Sequence, residues 1–219
     1  MKITIRPLAL AALLVCSATA SVANASASWI DWTSSNAGTL TIGSNVINVS
    51  LSGTASYGIV DGDYYYNNGN TGGTALSGTY QGLVPSDMVQ VNLANTFTLT
   101  FDQAIVNPYI ALVSVGQPGV AISYTFNGPI ASLSTAGDNY WGTGTGSFGG
   151  NAFTGYEYNG VLQLSGAYTS LTITTAPNEN WHGFNVGTVT AVPEPETYAL
   201  LLAGLGLVGA IARRRKASV

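Results

Sequence analysis

Between Ser28 and Thr190 this chain offers eight carboxylates, one histidine and two aromatic clusters, and little else that can do chemistry. The carboxylates are Asp31, Asp61, Asp63, Asp87, Asp102, Asp138, Glu157 and Glu179. Glycoside hydrolysis needs two facing carboxyl groups. Glu157, Glu179, Asp102 and Asp138 are available for it, and nothing in the sequence pairs them. His182 is the lone histidine, so a Ser-His-Asp triad would have to use it, and no G-x-S-x-G elbow accompanies it. One histidine cannot build a His-rich zinc site, and the single cysteine, Cys16, lies far upstream. No catalytic residue is therefore assigned, and the chain is expected not to be an enzyme.

Two other motifs invite a ligand. Asp61-Gly62-Asp63, with Asn67, Asn68 and Asn70, could present oxygens to Ca²⁺. An EF-hand spacing fails at Tyr65 and at Gly72, so Asp61 and Asp63 are only a candidate pair beside the reading of a solvated turn, and no metal or other cofactor is expected. Gly144 to Gly149 spells G-x-G-x-x-G, but a dinucleotide site needs that pattern between a strand and a helix. Its neighbours are Tyr140-Trp141 and further glycine, which read as a flexible loop.

The aromatic clusters are Tyr64-Tyr65-Tyr66 and Tyr140-Trp141, both in glycine- and asparagine-rich stretches. Exposed rings stack on sugar faces, which makes these five residues the candidate glycan contacts. The other reading is that they cover the open end of a hydrophobic core.

Charge narrows the partners. The segment from Ser28 to Thr190 has eight carboxylates and no Lys or Arg, hence a net charge of −8 with His182 neutral. Nothing there would neutralise phosphates, which argues against nucleic acid and equally against anionic lipid. Extracellular polysaccharide is the candidate partner, neutral or cationic in preference to strongly anionic.

The elements that must position these groups read as strands almost throughout. Thr, Ser, Val, Ile and Tyr dominate, punctuated by Gly and Asn. Residues 39–42 and 46–51 flank Gly43-Ser44-Asn45 as a hairpin, and 96–101 alternates strictly. Residues 105–115 and 120–126 are apolar runs split by Gly116-Gln117-Pro118-Gly119, and 160–165, 170–175 and 181–190 follow. Residues 61–74 and 137–151 read as long loops. The expected fold is all-β, an antiparallel sandwich of jelly-roll-like form, with a barrel as the alternative.

The two ends read as targeting. Lys2 and Arg6, the apolar run 8–15 and the small residues Ala25-Ser26-Ala27 form the three parts of a secretory signal. Cleavage is expected after Ala27, with Ala25 as the alternative site. Leu13-Leu14-Val15-Cys16 falls short of a lipoprotein box because Val15 is not small. At the other end, Pro193-Glu194-Pro195 precedes an apolar run, 198–212, and the basic cluster Arg213, Arg214, Arg215 and Lys216. As a helix the run would reach about 22 Å at 1.5 Å per residue. That is short for ~30 Å of hydrocarbon, though flanking bases can snorkel. A transmembrane helix with a cytoplasmic tail is nevertheless expected. The domain plan is a signal at 1–27, a β-sandwich at 28–190, a Pro/Glu linker at 191–197, the helix at 198–212 and a basic tail at 213–219.

Those three parts, in that order at that end, resemble the PEP-CTERM protein-sorting domain, a segment also labelled ice-binding protein C-terminal domain. The resemblance covers about the last 27 residues. That label names the tail and says nothing of ice. Asp31-Trp32-Thr33-Ser34, Gly116-Gln117-Pro118-Gly119 and Trp181-His182-Gly183-Phe184 also resemble segments of secreted proteins that bear this tail. The resemblance implies export by signal peptidase and the Sec route in a Gram-negative bacterium. It further implies recognition at Pro193, Glu194 and Pro195 by an exosortase-like membrane enzyme, and delivery to the cell surface or an exopolysaccharide matrix. A tail anchor without processing is the alternative. It implies no chemistry for the β domain. The expected role is structural or adhesive, with a carbohydrate-binding module as the alternative and a glycoside hydrolase as the rival.

Overall fold

The computed structural model describes residues 27–53, 78–84, 87–135, 144–179, 182–189, 202–206 and 208. The chain divides into two compact units, one of Ala25–Ala191 and one of Met1–Asn24 with Val192–Val219. Fourteen strands are found among the described residues, numbered here in chain order.

The first sheet runs β1 (Ala27–Trp29), β14 (His182–Val189), β7 (Tyr109–Val115), β12 (Tyr158–Leu164) and β9 (Ile130–Thr135), and β5 (Val89–Val91) also pairs with β14. The second runs β10 (Thr145–Gly149), β11 (Ala152–Tyr156), β8 (Ile122–Phe126), β13 (Ala167–Ala176), β6 (Asn95–Val106), β4 (Asn45–Ser52), β3 (Ala37–Ile42) and β2 (Asp31–Trp32). All these pairings are antiparallel. The all-β expectation holds.

The second sheet follows a period of two, as a sheet with one wet face should. Phe97, Leu99 and Phe101 of β6 point to the core, while Thr96 and Thr100 are exposed. Ile47, Val49 and Leu51 of β4 do the same beside Asn48, Ser50 and Ser52. The first sheet is buried on both faces at its centre. Phe184 and Val186 of β14 join the core between the sheets. A second cluster, with Trp29, Tyr80, Leu83, Met88, Ala111, Val113 and Val161, occupies the opposite face. There residues 78–84, which open with a short 3₁₀ turn at Gly78–Tyr80, and residues 87–88 provide cover. Tyr80 is tied down by donating its hydroxyl to the Leu112 carbonyl at 2.6 Å.

Several boundaries differ from the sequence reading. The run 105–115 is two strands, because Asn107 takes φ 48° and Pro108 follows it, which ends β6 and starts β7. The expected loop at 137–151 contains strand β10 in its second half, and the G-x-G-x-x-G pattern lies within 144–149 of it. β10 is hairpin-paired with β11 rather than followed by a helix, so no dinucleotide site forms. Gly146 is there for space: a Cβ would stand 2.6 Å from the Phe153 ring and 2.7 Å from the Tyr158 ring.

The expected membrane-spanning helix is not supported. Within 198–212 the described residues are 202–206 and 208, which are helical, with Leu202, Leu205 and Val208 exposed. No helix among the described residues is long and apolar enough to cross a membrane. The other residues of 198–212 lie outside the described ones.

Ile30 is where the chain passes from the first sheet to the second, between β1 and β2. It is fully buried, so both of its backbone polar groups need partners. Its N–H donates to the Val186 carbonyl at 2.9 Å. Its carbonyl accepts from Asn185 Nδ2, also at 2.9 Å, and Asn185 is itself fully buried. Asn185→Leu would leave the Ile30 carbonyl orphaned. We expect it to cost about 1–3 kcal/mol of stability in a denaturant titration; an unchanged midpoint would show that the crossover does not depend on this bond.

Candidate functional site

The groups with the strongest chemical potential gather where β7, β11, β12 and the residues before β14 meet. Ser114, near the end of β7, takes φ 52°, and Glu157, between β11 and β12, takes φ 54°. Left-handed backbone at two non-glycine residues costs of order 1–3 kcal/mol each unless the surroundings enforce it. Here three bonds enforce it. Ser114 Oγ donates to Glu157 Oε1 at 2.8 Å, and the Ser114 N–H donates to Asn159 Oδ1 at 2.8 Å. Asn159 Nδ2 donates to the Glu157 carbonyl at 3.1 Å. The register between β12 and β7 shifts at this point, between Tyr158 and Gly160.

Glu179 enters the same corner. It is only 6% exposed, and its Oε2 accepts from the Gly116 N–H at 2.9 Å. Its carbonyl accepts from the Leu93 N–H at 2.7 Å. Burial pushes its carboxyl up to about 7, the Gly116 N–H opposes this, and the charge of Glu157 adds to it. Two of the four carboxylates considered for hydrolysis are thus brought together. A carboxyl that holds a proton near neutrality is what a general acid requires. The corner also includes Gly116, the first residue of the Gly116–Gly119 segment singled out in the sequence. Ser114 and Asn159 were missed. Only the polar break in the run Val113-Ser114-Val115 hinted at them, and their roles depend on backbone angles that sequence does not print.

Asp102 is elsewhere. It is exposed on β6, where Oδ1 accepts from the Asn48 N–H at 3.0 Å and Oδ2 from Asn48 Nδ2 at 2.6 Å. It clamps β6 to β4 rather than facing Glu157.

His182 is a core residue. It is fully buried on β14, and its Nδ1 lies 2.5 Å from the Tyr124 hydroxyl of β8, a bond between the two sheets. Burial lowers its pKa to about 4, so it is neutral at physiological pH. Its Nε2 has no hydrogen-bond partner among the described residues.

The remaining candidates lie outside the described residues. These are Asp61, Asp63, Tyr64, Tyr65, Tyr66, Asp138, Tyr140 and Trp141, the sorting residues Pro193, Glu194 and Pro195, the cluster Arg213 to Lys216, and Ala25. Ala27 is described, as the first residue of β1, paired with Val189. No group of three or more potential metal ligands occurs among the described residues.

Residues 191–216 match the family described as PEP-CTERM protein-sorting motif. The chain therefore carries this motif at its C-terminal end, and the motif implies export and exosortase-dependent sorting to the cell surface. No curated protein and no solved structure matches the chain.

Glu179 and His182 should load stability with opposite signs. The folded chain holds the Glu179 proton more tightly than the unfolded one, so stability falls as pH rises from 4.5 to about 7. It holds the His182 proton less tightly, so stability falls as pH drops from 6.5 to about 4. The two effects offset each other where they overlap. Glu179→Gln removes one of them. Its stability relative to the parent should therefore improve as pH rises from 4.5 to 7 and stay level above that. A pH-independent difference in denaturant titrations would mean that Glu179 titrates like an ordinary carboxylate.

Proposed function

We propose that the chain is an exported protein of a Gram-negative bacterium, sorted by an exosortase-like enzyme, whose β domain serves as a structural or adhesive component of the cell surface or exopolysaccharide matrix. The observation that carries this reading is the sorting motif at 191–216. Its prolines favour an extended backbone and cannot donate to a sheet ladder, which suits a segment offered to another enzyme. The apolar run 198–212 and the basic cluster after it would retain the chain at the membrane until the tail is cut. Of the two signal cuts, the one after Ala25 leaves Ala27 in place to pair with Val189.

The domain's chemistry supports a non-enzymatic role. Between Pro7 and Ala212 there is no Lys or Arg, the usual clamps for anionic transition states. Its one histidine is sealed in the core, bonded across the sheets. A carbohydrate-binding module that uses Tyr64, Tyr65, Tyr66, Tyr140 and Trp141, with or without Ca²⁺ at Asp61 and Asp63, is a finer version of the adhesive role. The corner of Glu157 and Glu179 favours one rival, a hydrolase with two carboxylates. Glu179 Oε2 is already engaged by the Gly116 N–H, and Glu157 Oε1 by Ser114, so the pair reads as a strained structural lock.

Two measurements check this reading. Mass spectrometry of protein extracted from the cell surface should find an N-terminal peptide starting at Ser26 and no peptide spanning Pro195 to Arg213. Recovery of that spanning peptide from mature protein would contradict processing. A glycan-hydrolysis screen should show no turnover. Turnover abolished by Glu157→Gln, with the fold intact, would replace the structural role by a catalytic one.

A further inference from the structure

Among the described residues, the outer face of the first sheet is only partly covered. Tyr80, Leu83 and Met88 close one part of it, and beside that cover lies an open groove of about 260 Å³. Its aromatic walls come from one cross-strand row. Trp29 of β1 and Tyr109 of β7 are both register partners of Gly187 on β14, so they flank a residue with no side chain. Gly187 is not interchangeable. A Cβ there would stand 2.5 Å from the Ser28 carbonyl and 2.6 Å from the Trp29 ring. The indole therefore packs down onto the strand, fixed by Nε1–H donating to the Gln81 carbonyl at 3.0 Å. Thr79, Gln81 and Ser134 also line the groove, and aliphatic residues of β1, β12 and β14 complete it.

We propose that this groove binds a neutral pyranose unit of an extracellular polysaccharide, stacked against the half-buried Tyr109 ring beside the buried Trp29 indole and hydrogen-bonded by Thr79, Gln81 and Ser134. Three features select that chemistry. Among the described residues the lining contains no charged group, and the domain's sequence has no Lys or Arg, so an anionic ligand would gain nothing and would meet a net charge of −8. A cationic ligand would need a carboxylate in the lining, and none is among its described residues. A purely apolar ligand would make no use of the polar residues Thr79, Gln81 and Ser134 that line the groove beside its apolar wall. A sugar ring satisfies both demands, with C–H groups for the aromatic faces and hydroxyls for the polar ones. The volume is just under the ~300–1,000 Å³ of ordinary small-molecule sites, which suits one ring of a chain that continues out of an open groove.

The proposal rests on the adhesive reading and gives it a contact surface among the described residues. The test uses mature protein recovered from the cell surface, with an array of neutral gluco-, galacto-, manno- and xylo-oligosaccharides, followed by titration of the best binder. Tyr109→Ala should weaken binding about tenfold or more, and Tyr109→Phe should hold it within about threefold. Ser134 is exposed, so Ser134→Trp should fill the groove and abolish binding while leaving the thermal midpoint in place. The proposal fails if no neutral glycan is retained, or if binding is indifferent to both Tyr109→Ala and Ser134→Trp. In the second case the adhesive role would stand with its contacts elsewhere, and in the first the sorting of the tail, read separately by mass spectrometry, would be untouched.

Discussion

The fold depends on β14, the last strand, being paired along both of its edges. On one side lies β7; on the other lie β5 along its first half and β1 along its second. A strand so placed must be compatible with burial on both faces. Its sequence, from His182 to Val189, meets this by setting Phe184 and Val186 toward the core and Gly183, Asn185 and Gly187 toward the other side. Pairing β1 with β14 joins positions more than 150 residues apart, as does the bond from Asn185 to Ile30. Contacts of that range form late and slowly, since loop closure must come before they contribute. They also bring together Ala27 and Val189, the described residues nearest the signal and the sorting tail.

The second constraint is the lack of any cation in the domain. With no Lys or Arg to pair with, its carboxylates must find N–H and O–H donors. Asp102 takes both donors of Asn48, Glu157 takes the Ser114 hydroxyl, and Glu179 takes the Gly116 N–H. Hydrogen bonds of this kind hold an exposed carboxylate easily. They do not fully offset burial, which is why Glu179 keeps its proton toward neutral pH. The same lack of charge leaves the outer groove neutral and makes its aromatic and hydroxyl groups the recognition chemistry on offer.

Much of the second sheet was legible in sequence, because one face is wet and the pattern alternates. The Gly43-Ser44 hairpin and the run from Thr96 to Phe101 are found as read. The first sheet was harder. β7 and β14 are buried on both faces, so their apolar runs carry no alternation to mark an end. β5 is three residues long, and β9 is mostly exposed with a pattern that marks no face. β10 looked like loop because of its glycines, of which Gly146 serves close packing against Phe153 and Tyr158 rather than turning. Of the site, Glu157 and Glu179 were visible as candidates but their meeting was not. That depends on Ser114 and Glu157 adopting left-handed backbone, and no residue type there announces it. Trp29 and Tyr109 were not singled out either, since only the register through Gly187 puts them in one row. The sorting motif, by contrast, is a linear signal and was readable, while the membrane-spanning helix read into it is not supported.

Native-state hydrogen exchange on the exported protein tests the central claim that the domain is organised around β14. The amides of Phe184 to Gly187 should exchange only through global unfolding, with the slowest rates in the chain, while those of the edge strand β10 exchange by local opening. If the β14 amides exchange as fast as those of β10, the last strand opens locally and is not the organising element of the sandwich.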